Sequence, residues 1–141
     1  MSFLFDTDAI SELLRPRPLA GYLEWLQEIP RDEQFTSSVV IGELYKGAYR
    51  SSAQKRHLDN IEKRILPAVT VLPYDVATAR SYGKLRAQLE ETGQVLADAD
   101  LQIAATALYH DLELVTGNLR HFSHIDQLRV NDILSGRASG N

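Results

Sequence analysis

Phe3-Leu4-Phe5-Asp6-Thr7-Asp8-Ala9-Ile10 puts three apolar residues, an acidic turn and the start of an apolar helical stripe in direct succession. Phe3–Phe5 reads as a short buried strand ending at Asp6. Thr7 or Asp8 then supplies the oxygen that caps a helix over Ala9–Leu14. The same unit recurs down the chain. Gln34-Phe35-Thr36 reads as a strand, and Ser37 or Ser38 caps a helix running to about Arg50. Val69–Leu72 is β-branched and reads as a buried strand. Asp75 caps a long helix through Glu91, which Gly93 terminates. Asp98–Tyr109 is an Ala-rich helix followed by a strand over Glu113–Thr116, and Arg129-Val130-Asn131 is a weaker last strand. Strands alternating with helices imply an α/β fold, a small, mostly parallel sheet covered on both faces by helices.

The intervening segments are also helical. Arg15-Pro16-Arg17-Pro18 breaks the first helix, and the second proline suits the first turn of the next. That helix carries Leu19, Tyr22, Leu23, Leu26 and Ile29 on one stripe, with Trp25 beside it. Ala53–Leu66 reads as a charged amphipathic helix closed by Pro67. There is no repeat, low-complexity region or linker. One domain over 1–135 is expected, with a disordered tail over 136–141. The 141 residues suffice for a real core. The absence of cysteine excludes disulfides, thiolate metal sites and cysteine nucleophiles, and permits a reducing cytoplasm. No apolar run reaches the length of a membrane span, so a cytoplasmic protein without membrane contact is expected. The formal net charge of -4 argues against holding nucleic acid by bulk charge alone. It is compatible with a nuclease whose carboxylates gather around a cation.

Four side chains stand where apolar segments end or turn over: Asp6, Glu43, Asp100 and Asn118. A carboxylate on an apolar face loses solvation and is tolerated when paired or metal-bound. Asp6 and Asn118 fall beyond the carboxyl ends of strands, where sites form in open parallel sheets. Asp100 falls in a helix's first turn, where the dipole favours negative charge. Glu43 falls on what should be the inner stripe of its helix, one turn from Val39, Val40 and Gly47. Each has a structural reading as well: a turn or cap for Asp6, Asp98 and Asp100, and an ion pair for Glu43. Together, three carboxylates far apart in sequence point to a shared divalent cation. Oxygen-only ligands select Mg²⁺ or Mn²⁺ over zinc, and such an ion serves phosphodiester hydrolysis.

Four stretches then resemble the successive motifs of PIN-domain ribonucleases. They are Phe5–Ile10, Ser37–Ala48, Ala99–Ala107 and Leu114–Phe122, with the VapC toxin group of type II toxin–antitoxin pairs the nearest in pattern. Order, spacing and length agree over nearly the whole chain. The resemblance implies a PIN-domain fold and an Mg²⁺-dependent endoribonuclease, with Mn²⁺ able to substitute. Its metal would be held by Asp6, Glu43 and Asp100. Asn118 stands where the family has a fourth acidic residue or Asn, and its neutrality leaves three carboxylates plus waters. Thr116 matches a hydroxyl near the site, while Asp98 and Asp8 are accessory candidates for which capping is the simpler role. His121 reads as a loop residue and is not assigned as a base. The resemblance also implies an RNA substrate, a VapB-type antitoxin, operator DNA reached only through that antitoxin, and a homodimer. Trp25, Leu26 and Arg15 are the candidate antitoxin contacts.

Other features have plainer explanations. Arg50, Lys55, Arg56, His57, Lys63 and Arg64 read as a solvated helix face interrupted by Asp59 and Glu62. Tyr45 and Tyr49, one turn apart, suit a core or an interface. The dimer finds a second motive in two apolar stripes, Leu19–Ile29 and Val76–Leu89 with Tyr82, Leu85 and Leu89, which are much for a short chain to cover. Two other functions compete. Strand-Asp6-Thr7-Asp8 also resembles the start of haloacid-dehalogenase-type phosphatases, but Ala9-Ile10 replaces their Gly-Thr and the chain is short for that fold. A catalytically silent PIN-like binding module would have no reason to bury three like charges.

Overall fold

Five strands form one parallel sheet in the order β3-β2-β1-β4-β5 in a computed structural model describing residues 1–135. The tail expected over 136–141 lies outside the described residues. The strands are β1 (Phe3–Phe5), β2 (Gln34–Ser37), β3 (Thr70–Leu72), β4 (Glu113–Val115) and β5 (Val130–Asn131). β1 is central. It pairs with β2 on one side and with β4 on the other, Phe5 lying opposite Val115. All three β1 residues are buried. Successive strand residues point to opposite faces, so both faces of the sheet are covered, as the sequence implies.

The chain builds the sheet outward from β1 through β2 to β3, then returns to place β4 and β5 on the other side. The order therefore reverses between β1 and β4. A crevice opens at such a switch point beyond the carboxyl ends of the strands. The residues at that crevice are Asp6, following β1, and Thr116, following β4. The Asp6 N–H donates to the Val115 carbonyl at 3.1 Å, which draws the two strand ends together.

The helices among the described residues are α1 (Thr7–Leu13), α2 (Ala20–Gln27), α3 (Ser38–Arg50), α4 (Gln54–Asn60), α5 (Val76–Glu91), α6 (Asp98–Tyr109) and α7 (Leu119–Phe122). Several start as expected. Ser37 caps α3 through the Val39 N–H at 2.9 Å. Asp75 and Thr78 close a capping box at the head of α5, and Gly93, at φ +73°, follows its end. Other starts differ. The cap of α1 is Asp6, not Thr7 or Asp8, because its carboxylate accepts the Ala9 N–H at 2.9 Å and starts the helix earlier. Pro18 precedes α2 instead of entering its first turn. No side chain caps that helix locally. The buried Glu12 reaches across from α1 to accept the Leu19 N–H at 2.9 Å, and also pairs with Arg15 at 3.2 Å. The run from Gln54 ends in a wide turn over Ile61–Ile65, where the Leu66 N–H bonds back to the Ile61 carbonyl. Both isoleucines are buried.

The two apolar stripes are covered only in part, as expected, with Val76 exposed at the head of α5. On α5, Leu85 and Leu89 are core residues, and Tyr82 packs against the core. On α2, Tyr22 is fully buried, and its hydroxyl donates to the Ala9 carbonyl at 3.0 Å. Leu19, Trp25, Leu26 and Ile29 pack on the core from outside. The Trp25 ring meets the Phe3 ring edge-on at 5.0 Å and stacks beside Tyr22 at 6.2 Å. α6 is buried at Leu101, Ile103, Ala104, Ala105, Thr106 and Ala107. Its alanines allow close approach of neighbours on more than one side.

Candidate active site

Asp6 is the most telling side chain of the molecule. It is only 5% exposed, directly beyond β1, with no positive charge against it in any described ion pair. Burial pushes its pKa up to about 7. The Thr116 hydroxyl and the Ala9 N–H, which bond to the carboxylate, pull the other way, while the charges of Asp8 and Asp100 push it further up. Desolvation and like charge disfavour the ionised form together. Thr116 is held in turn, its hydroxyl oxygen accepting the Asn118 N–H at 2.9 Å.

Asp8 and Asp100 complete the acidic centre. Burial also raises the Asp8 pKa, and Asp100 adds to the effect while His121 opposes it. The Asp8 side chain lies against Gly117, whose missing Cβ would sit 3.8 Å from Asp8 Oδ2. Asp100 projects from the first turn of α6. Its Oδ2 meets His121 Nδ1 at 3.1 Å.

The remaining candidates are distributed around this centre. Glu43 accepts a short hydrogen bond from the Thr7 hydroxyl. Among the described residues no lysine or arginine pairs with it, so the ion-pair explanation for its position lacks a partner. It lines a groove of about 530 Å³ shared with Thr7, Arg15, Arg56 and His57. Asn118 occupies the N-cap position of α7, exposed, with no side-chain cap bond. Asp98 stands apart. It neither caps α6 nor reaches Asp6, because the Tyr82 hydroxyl (2.7 Å) and Arg86 bind its carboxylate. No three of the described histidine, aspartate and glutamate side chains stand close enough together to hold one ion by themselves.

His121 is the neighbour of the acidic centre that sequence reasoning misses. Its sequence context reads as loop, but it lies in α7, which turns it back onto Asp100. The available signal was Asn118 as a cap followed by Leu119 and Phe122 at i, i+3 spacing, enough for one helical turn. Of the antitoxin candidates, Arg15 lines the Glu43 groove. Leu26 lines an apolar groove of about 220 Å³ with Leu13, Leu14, Leu23 and Ile65. Trp25 is largely spent on the Phe3, Phe5 and Tyr22 rings.

Comparison with known proteins agrees with this fold. The PIN domain model matches residues 3–128. Ribonuclease VapC2 of Haemophilus influenzae is 31% identical over 130 residues, which is 92% of this chain and 96% of the relative. Toxin FitB of Neisseria gonorrhoeae is 34% identical over 128 residues, 87% of this chain and 92% of the relative. The crystal structure of DNA-bound VapBC from Salmonella typhimurium contains a chain that superposes with a TM-score of 0.87 at 30% identity, covering 94% of this chain and 98% of that one. These likenesses do not favour the phosphatase reading. A buried aspartate at the switch point, faced by a second from the head of an Ala-rich helix, is thus set in a framework shared along almost the whole chain: the protein belongs to the PIN-domain family, in its VapC branch.

Proposed function

We propose that the protein is a metal-dependent endoribonuclease acting as the toxin of a VapBC-type pair, hydrolysing RNA until an antitoxin neutralises it. The observation that carries this reading is Asp6. Its carboxylate is buried at the switch point, repelled by Asp8 and Asp100, with a pKa raised to about 7. A cation relieves all of these penalties at once. The donor set fits Mg²⁺, with Mn²⁺ able to replace it, because every candidate ligand is an oxygen. Mg²⁺ usually keeps several waters and binds through one or two carboxylates, so the spacing of these side chains is no obstacle.

Asp6 and Asp100 are the residues that would hold the ion, with Glu43 contributing from the adjoining wall. When bound, the ion polarises a phosphoryl oxygen and acidifies a water. The protein's own groups do the rest. The Thr116 hydroxyl and Ala9 N–H fix the Asp6 carboxylate. His121 steadies Asp100. The Thr7 hydroxyl fixes Glu43, leaving a carboxylate suited to accept a proton from the attacking water. Asn118 adds no charge and orders Thr116 through its backbone N–H.

The partner is a VapB-type antitoxin, with operator DNA reached only through it. Leu23 and Leu26 offer it an apolar groove, and Arg15 stands in the neighbouring one. A homodimer is supported by the family likeness and by the part of the two stripes left uncovered, Val76 exposed and Leu19, Leu26 and Ile29 only partly buried. The isolated protein should scatter light with a mass near twice 15.8 kDa. The decisive experiment is cleavage of RNA by purified protein carrying Asp6→Asn, Glu43→Gln or Asp100→Asn. Each should lose about 10²-fold or more in rate with circular dichroism unchanged. A fully active Asp100→Asn protein would overturn the assignment.

A further inference from the structure

Two grooves each hold one of the candidate carboxylates. The first, about 530 Å³, runs beside α1, α3 and α4 and carries Glu43 with Arg15, Arg56 and His57. The second, about 270 Å³, carries Asp100 with Arg120, His121 and His124. Asp8 links them. It follows Thr7 of the first groove in sequence, and its carboxylate feels the charges of Asp100 and His121 in the second. Each groove therefore contains one candidate carboxylate and at least one guanidinium.

The arginines are not equivalent. Arg15 is committed in part to Glu12 at 3.2 Å. Arg56 and Arg120 are exposed, and among the described residues no carboxylate pairs with either. The chain carries a formal net charge of -4. A polyanion brought to a centre of carboxylates on an acidic protein needs local positive charge on both flanks. Arg56 and Arg120 occupy those flanks. Leu14, Leu44 and Ile61 also line the first groove. Such an apolar floor suits the face of an unpaired base, whereas a duplex presents phosphates and sugars outward.

We propose that the two grooves are the arms of one single-stranded RNA track. Arg56 holds the backbone on one side of the scissile phosphate, and Arg120 holds it on the other. This rests on the ribonuclease reading above and adds which side chains position the substrate. Arg56 and Arg120 are positioning residues, not catalytic ones.

The test uses a labelled single-stranded oligoribonucleotide that the wild type cuts. Its binding is followed by fluorescence anisotropy in EDTA across a salt series, and its cleavage by steady-state kinetics in Mg²⁺. Arg56→Ala and Arg120→Ala should each weaken binding and flatten the slope of log affinity against log salt by about 0.7, the value for one single-strand phosphate contact. Each should raise KM with kcat unchanged, and Arg56→Lys and Arg120→Lys should restore the slope. Arg80→Ala, an exposed change on α5 outside both grooves, should do none of this. A wild type that cuts RNA alongside arginine variants with unchanged KM and slope overturns the track and leaves the ribonuclease standing. Loss of kcat at constant KM, or equal affinity for a duplex, also overturns it. So does an Arg56→Ala protein that loses antitoxin affinity while keeping its RNA KM, which would assign the first groove to the protein partner. A wild type that neither binds nor cuts RNA overturns both readings.

Discussion

At the scale of single residues, Asp6 sets the behaviour of the metal-free protein. Its folded pKa, about 7, stands above the ordinary 3.8. A carboxyl shifted this way contributes stability that is complete below pH 3.8 and lost as pH rises toward 7, because the folded state binds the proton more tightly. The shift corresponds to about 4 kcal/mol. Metal-free wild type should therefore lose stability between about pH 4 and pH 7. Asp6→Asn keeps a competent helix cap and should flatten that profile. Urea melts in EDTA at pH 4 and pH 8 check this, and parallel profiles would refute it. Thr116→Val removes a hydroxyl that lowers the Asp6 pKa and accepts the Asn118 N–H. It should cost about 1–3 kcal/mol and weaken divalent-ion binding, read by calorimetric titration. The Asp6, Glu43, Asp100 and Asn118 candidates were legible in the sequence because polar groups at the ends of apolar runs stand out. The His121–Asp100 contact was not, since it depends on a single helical turn whose direction no periodicity reveals. Nor was the diversion of Asp98 to Arg86, a contact across helices 12 residues apart in sequence.

At the scale of elements, boundaries follow local chemistry where a cap and its partner are close in sequence. Asp75 and Thr78 are three residues apart, and α5 begins where expected. Asp75→Ala should cost about 1 kcal/mol, measured as a shift in the denaturation midpoint with unchanged slope. Boundaries fail where the partner is tertiary. The head of α2 is satisfied by Glu12 from the preceding helix, so the Pro18 signal misleads. Trp25 belongs here too. It sits against three aromatic rings from β1 and α2. Trp25→Ala should cost about 3 kcal/mol and so cannot serve as a clean probe of antitoxin binding. Leu26→Lys is the better one, since Leu26 lines a groove and only partly faces the core. It should weaken antitoxin capture while RNA cleavage by free toxin persists, and equal capture would move the contact elsewhere.

At the scale of the whole molecule, the alternation of strand and helix was enough to read the parallel sheet. Its strand order was not readable, because parallel pairing joins segments with no local sequence signature. Ion binding should couple to global stability. A ligand that binds only the folded state raises the melting temperature by mass action. Mg²⁺ should raise it in wild type and not in Asp6→Asn or Asp100→Asn, by differential scanning calorimetry. Equal shifts in all three would place the ion elsewhere.

The position of β1 between β2 and β4 has a consequence for synthesis. β1 precedes the other four strands of its sheet, yet its second neighbour comes more than a hundred residues later, at Glu113–Val115. The Asp6 N–H finds Val115, and the Asp6 carboxylate finds Thr116, only after that stretch has left the ribosome. Asp100 likewise meets His121 only after α7 has been made. A nascent or prematurely terminated chain thus carries all the early acidic residues without the crevice that unites them. For a ribonuclease toxin, late closure of the centre confines activity to chains made past His121.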